Sequence, residues 1–168
     1  MADPESTTGA SNNERLLSAA REDNEDLLLE IFEEGKFDIN YQDGLGNTAL
    51  HYAASLGNTA VLEHILSHDE CDVDPINRLE RATPLHLALR LQDQEIRAHV
   101  IESLLEAGAD FSIKDKNNET VLDLLGNSES DLEIRKLIRK AQAQASVSHD
   151  DVASDDDDGE PGSGSGSE

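Results

Sequence analysis

The chain has 168 residues, with 37 acidic against 13 basic side chains and a formal charge of −24. A surface so short of cations is a poor one for nucleic acid or an anionic membrane face, because phosphate binding needs clustered Lys and Arg. Aromatic content of 3% is thin for a β-sandwich or barrel and suits thin helical layers built on Leu, Ile and Ala.

Residues 1–13 are polar and acidic and are expected to be disordered. They have neither the basic nor the apolar segment of a signal peptide. Structure is expected to begin at Glu14. Leu16, Leu17, Ala19 and Ala20 form one apolar stripe, and Leu27, Leu28, Leu29, Ile31 and Phe32 a second. Asp23-Asn24 separates them, so the pair reads as a helical hairpin. The pattern then recurs. Ala53-Ala54 leads to Val61, Leu62, Ile65 and Leu66. Leu85, Leu87, Ala88 and Leu89 lead to Val100, Ile101, Leu104 and Leu105. Leu122, Leu124 and Leu125 lead to Leu132, Ile134, Leu137 and Ile138. The successive steps Ala19 to Ala53, Ala53 to Ala88 and Ala88 to Leu125 are 34, 35 and 37 residues. Self-similarity at that period signals stacked copies of one supersecondary unit.

The second, third and fourth copies open on related segments, Thr48-Ala49-Leu50-His51, then Thr83-Pro84-Leu85-His86, then Thr120-Val121-Leu122-Asp123, and the first copy lacks one. Thr48 and Thr83 are placed to cap a helix N-terminus, and Pro84 fits the first helical position. Ala53, Ala54 and Ala88 are small enough for close helix approach. Gly57 and Gly108 fit helix ends that need positive φ. The full run Asp43-Gly44-Leu45-Gly46-Asn47-Thr48-Ala49-Leu50-His51-Tyr52-Ala53-Ala54 and the later Leu104-Leu105-Glu106-Ala107-Gly108-Ala109-Asp110 resemble the ankyrin repeat. The resemblance covers residues 14–141. It implies an all-α solenoid of about four helix-turn-helix repeats joined by short β-turn fingers. The units are 14–42, 43–77, 78–114 and 115–141, with a disordered acidic and Gly/Ser-rich tail at 142–168.

Three departures stand out. The first and fourth copies are atypical, as capping repeats should be. Arg81 replaces the turn glycine, so it must either adopt a left-handed backbone or change the turn. Ala53 to Ile65 is 12 residues, whereas Ala88 to Leu104 is 16, which puts four extra residues between 90 and 100 as a longer helix or a protruding turn.

No constellation points to catalysis. His51 and His86 belong to the Thr-x-Leu-His segment and are expected to bond turn backbone and the neighbouring Thr hydroxyl. His64, His68 and His99 lack partners at zinc spacing. Cys71 takes the place of a small buried residue, and as the one cysteine it excludes an intrachain disulfide and fits a reducing compartment. Gly44-Leu45-Gly46 has no Lys after it and is no phosphate loop. No enzyme activity, cofactor or metal is expected.

The resemblance implies protein binding through the finger tips and inner helix faces. Candidate contacts are Leu45 and Asn47, Ser55 and Leu56, Leu79 and Glu80, Arg90 and Leu91, and Lys116 and Asn117, with Tyr41 and Tyr52 as possible aromatic anchors. Leu45, Leu56, Leu79 and Leu91 are expected to share an exposed apolar patch. Arg135, Lys136, Arg139 and Lys140 are the only cationic cluster and are read as favouring the C-terminal end of the last helix, the alternative being a dock for the acidic tail or for an acidic partner. Ser148 and Ser154 each carry an acid three positions on and are candidate phosphorylation sites. The expected protein is a monomeric, non-catalytic module of the cytoplasm or nucleus that binds a partner on its concave surface, with a basic protein as the natural counterpart of its charge. The alternative is an acidic escort chaperone for a basic client such as a ribosomal protein or histone.

Overall fold

A computed structural model describes residues 11–157, the backbone alone from residue 147 onward. The expected N-terminal disorder as far as residue 10, and the Gly/Ser run of the tail, lie outside the described residues. Among the described residues eight helices form four consecutive hairpins, and no strand occurs. They are α1 (Asn12–Glu22) with α2 (Glu25–Glu34), α3 (Ala49–Leu56) with α4 (Thr59–Leu66), α5 (Pro84–Ala88) with α6 (Gln94–Glu106), and α7 (Val121–Leu124) with α8 (Glu129–Asp157).

The first helix begins earlier than the apolar stripe suggests. Ser11 accepts from the Glu14 amide while the Glu14 carboxylate accepts from the Ser11 amide, a complete capping box. Asn12 is buried and donates to Glu34 at 2.8 Å, which ties the start of α1 to the end of α2. The expected disorder of residues 12 and 13 is thereby corrected. Ser11-x-x-Glu14 carried the signal.

The inner helices pack side by side, α1 on α3 and α3 on α5, while α2, α4 and α6 form the outer layer. Ala19, Ala20, Ala53, Ala54 and Ala88 have no exposed surface. Large residues from the outer layer, among them Leu28, Ile31, Leu62, Ile65, Ile101 and Leu104, close the core behind them. Each repeat thus buries its apolar faces between its own two helices and against its immediate neighbours, as in a solenoid.

Adjacent repeats are stitched together through histidine. The Thr48 side chain accepts from the His51 amide, and the Thr48 amide donates back to His51 Nδ1 at 3.0 Å. A ring nitrogen that accepts from an amide carries no proton, so the proton sits on Nε2. That N–H donates to the Ala82 carbonyl, 2.9 Å away in the finger of the next repeat. His86 repeats the device, with Nδ1 on the Thr83 amide and Nε2 at 3.1 Å from the Glu119 carbonyl. Both rings are buried. In the fourth copy Asp123 closes the box on Thr120 at 2.9 Å. No finger follows it among the described residues, and a carboxylate that only accepts is enough to close the box.

The lengthened third copy is resolved as a longer outer helix. α6 has 13 residues where α4 has 8, and α5 has only 5. Asp93 caps the added turn by accepting from the amides of Glu95 and Ile96. At the C-terminal side, Arg97 of α6 reaches across to Asp131 and Ser130 of α8, and its side chain is 11% exposed. Burial beside that guanidinium needs a charged partner, which Asp131 supplies. α8 then runs past position 142, where the sequence suggests the tail begins, to Asp157. The run Lys140-Ala141-Gln142-Ala143-Gln144-Ala145 consists of strong helix formers, which favours that continuation.

No described helix is long and apolar enough to cross a membrane.

Candidate partner-binding surface

Each finger is folded by one acceptor side chain. Asp43 Oδ1 accepts from the amides of Leu45 (2.9 Å) and Asn47 (3.0 Å). Asp115 Oδ1 takes those of Asn117 (2.9 Å) and Glu119 (3.0 Å) in the same way. Asn77 does this for Glu80 (3.2 Å) and Ala82 (3.1 Å), but it spans five residues rather than four. The middle finger is therefore one residue longer, and the extra residue falls at Arg78-Leu79. This accounts for the step of 35 rather than 34.

The residue before the last in each finger is left-handed: Gly46 at φ 82°, Arg81 at φ 52° and Asn118 at φ 67°. Arg81 keeps the turn and accepts the backbone cost. Gly46 has a second reason to be glycine, since a Cβ there would lie 2.7 Å from the Arg78 amide nitrogen of the next finger. The fingers are joined edge to edge. The Arg78 amide donates to the Leu45 carbonyl at 2.9 Å, and the Lys116 amide to the Glu80 carbonyl at 2.8 Å.

That pairing sets the predicted contacts in place. Leu45 and Leu79 stand on adjoining fingers, 48% and 63% exposed. Glu80 and Arg90 pair with each other at 3.1 Å beside them, and Lys116 and Asn117 are exposed on the next finger. Other candidates are drawn into the fold. The Asn47 side chain accepts from Asn77 at 3.1 Å, bridging two fingers. The Ser55 hydroxyl is turned back onto the Tyr52 carbonyl at 3.3 Å. Leu91 is half-buried against Gly57, where a Cβ would meet it at 3.3 Å. Leu56 is 52% exposed but lies at the far end of α3, about 12 Å along the helix from the finger side. The four leucines accordingly divide. Leu45 and Leu79 share a place, Leu56 stands apart, and Leu91 fills the turn between repeats.

Tyr52 acts as a brace. Its hydroxyl donates to Asp43, and the Arg21 guanidinium lies 5.1 Å over its ring. Burial alone would raise the Asp43 carboxyl, but the Tyr52 hydroxyl and the amides of Asn47 and Leu45 outweigh it and leave its pKa lowered. Tyr52 is pushed up, by burial first and by Asp43 second. Tyr41 is half-buried against the core.

Elsewhere, Arg135 donates to the Leu125 carbonyl at 2.9 Å and so caps the end of α7. The cationic cluster stands in the first half of α8 instead of its last turn, because α8 continues to Asp157. Cys71 is half-buried, and burial pushes its thiol up to about 11. A thiol held in that form is a poor nucleophile at neutral pH. Among the described residues no group of three or more His, Cys, Asp and Glu side chains is placed to hold a metal. Ser148 and Ser154 lie where only the backbone is described.

Residues 16–115 match the family model for ankyrin repeats, in three copies. An ankyrin repeat-containing protein of Saccharomyces cerevisiae is 36% identical over 147 residues, spanning 81% of this chain and 81% of its own. The chain belongs to the ankyrin-repeat family. A similar stretch, 34% identical, covers 60% of this chain and 51% of an ankyrin repeat protein of Escherichia coli. An E3 ubiquitin-protein ligase of Caenorhabditis elegans is 26% identical over 65% of this chain, which is 4% of the ligase. Ankyrin repeats generally mediate protein–protein interaction, and this chain carries that kind of scaffold.

Proposed function

We propose that the chain is a non-catalytic binding module that takes a partner protein on its finger row. The observation that carries this is the pair Leu45 and Leu79 on adjoining fingers. Leu79 comes with the residue that the middle finger has in excess, so the fold has no need of it. An apolar centre rimmed by Glu80, Arg90, Lys116 and Asn117 has the anatomy of a protein interface. The double variant Leu45→Glu/Leu79→Glu should lose capture of the native partner by at least about tenfold, with unchanged melting, because a buried charge replaces each anchor. Equal capture by wild type and variant, measured by quantitative pulldown, contradicts the finger row.

The charge of −24 favours a second reading, an acidic escort for a basic client. Affinity that collapses with added salt and with truncation at Ser148 supports the escort. An interface anchored on leucines loses little under either treatment.

A further inference from the structure

The outer layer carries a second feature, away from the inner helices. A groove of about 530 Å³ opens where α2 and α4 end, lined by Phe32, Phe37, His64, His68, Asp69 and Glu70, with Gly35 and Ser67 at its turns. Gly35 ends α2 in the left-handed conformation and reverses the chain, so that Phe37 returns onto Phe32. The two rings lie nearly parallel, 10° apart with centroids at 5.2 Å, and His68 stands edge-on to both at 5.5 Å. His68 Nδ1 accepts from the Glu70 amide, which fixes the ring. The carboxylates of Asp69 and Glu70 are exposed and have no partner among the described residues. Glu70 is held in place by its backbone, whose carbonyl accepts from the Asn40 side chain at 2.9 Å.

An aromatic floor with a carboxylate rim matches one chemistry closely. A guanidinium is planar, stacks on ring faces and forks onto carboxylates, whereas an ammonium is a compact and strongly hydrated point charge. The surrounding field has the right sign. Between Arg21 and Arg78 the chain has one cation, Lys36, against fourteen Asp and Glu residues. We propose that the groove between the ends of α2 and α4 is a binding site for an arginine side chain of a basic protein segment. It is independent of the finger row: Phe32 and Phe37 belong to the outer layer of the first repeat, and no finger residue lines the groove.

The chain has three phenylalanines, Phe32, Phe37 and Phe111, which makes the test direct. Uniform fluorophenylalanine labelling gives three ¹⁹F resonances, with Phe111 outside the groove as the internal control. The probe is a glycine peptide carrying two arginines, titrated beside the same peptide with two lysines. The arginine peptide should move the Phe32 and Phe37 resonances and leave Phe111 in place, with the lysine peptide at least about threefold weaker. Asp69→Asn/Glu70→Gln, which keeps the aromatic stack, should weaken the arginine peptide about five- to tenfold. Phe37→Leu should abolish the response at Phe32, with folding checked by its melt. Leu45→Glu/Leu79→Glu should leave it intact. The site is refuted by a shift at Phe111 equal to the others, by silence at Phe32 and Phe37, or by equal affinity for the lysine peptide. It is refuted equally if the carboxamide variant binds as wild type, or if the finger variant abolishes binding.

Discussion

Replacing His51 by alanine should lower the stability of the whole stack by about 3–4 kcal/mol, the largest effect expected of any single change at the repeat junctions. His51 has no exposed surface. Its loss leaves the Thr48 amide and the Ala82 carbonyl without their side-chain partner in a dry interior, and opens a ring-sized void between two repeats. Because neighbouring repeats stabilise each other, the damage spreads beyond the mutated copy. A thermal melt should fall by roughly 10 °C for a domain of this size. The same residue sets an acid limit. Burial lowers the His51 pKa below its ordinary value of 6.5. The unfolded chain therefore binds the proton more tightly than the folded one. Stability is complete above about 6.5 and declines as the pH falls below it. Denaturation midpoints measured from pH 7.5 to 5 should follow that course, and His51→Gln should flatten it.

Arg97→Met should cost about 2–3 kcal/mol and loosen the last hairpin first. The substitution strips the guanidinium from Asp131, whose side chain is only 17% exposed in the native pair. Asp131 owes its lowered pKa first to the hydrogen bond from Arg97. A carboxylate depressed in this way stabilises the fold above its unfolded value near 3.8 and ceases to do so as the pH falls through the folded value. Hydrogen exchange on Arg97→Met should show faster exchange in α7 and the start of α8, with α1 to α4 still protected. Replacing both partners by apolar residues should recover much of the loss, since the cost lies in the orphaned charge. Uniform loss across all repeats would mean that the last hairpin is not held by this pair.

The fold was legible because its makers are local. Thr48, Thr83 and Pro84 act within one turn of their own position and announce helix starts, and the recurring alanines mark where helices approach closely. The reach of His51 and His86 into the next repeat was not legible from residue order, since it spans more than thirty positions. Nor was the Arg97–Asp131 pair, where each residue reads as an ordinary surface charge on its own helix. The fingers do carry a readable signal. Asp43, Asn77 and Asp115 stand five, six and five positions before their threonines, and that one irregular spacing marks the extra residue at Arg78-Leu79. Leu91 misleads for a physical reason. An apolar residue just beyond a short inner helix reads as surplus, but Gly57 of the preceding repeat leaves a hollow that it fills. The groove was hidden in the same way, because Phe32 reads as one more member of an apolar helix stripe and only the reversal at Gly35 brings Phe37 onto it.

Hydrogen exchange of the full chain, free and bound to its captured partner, tests the account most directly. Binding on the finger row predicts new protection across residues 43–48 and 77–83 and at the inner helices behind them, with α2 and α8 unchanged. Protection confined to the outer helices, with the fingers exchanging as in the free protein, would contradict it.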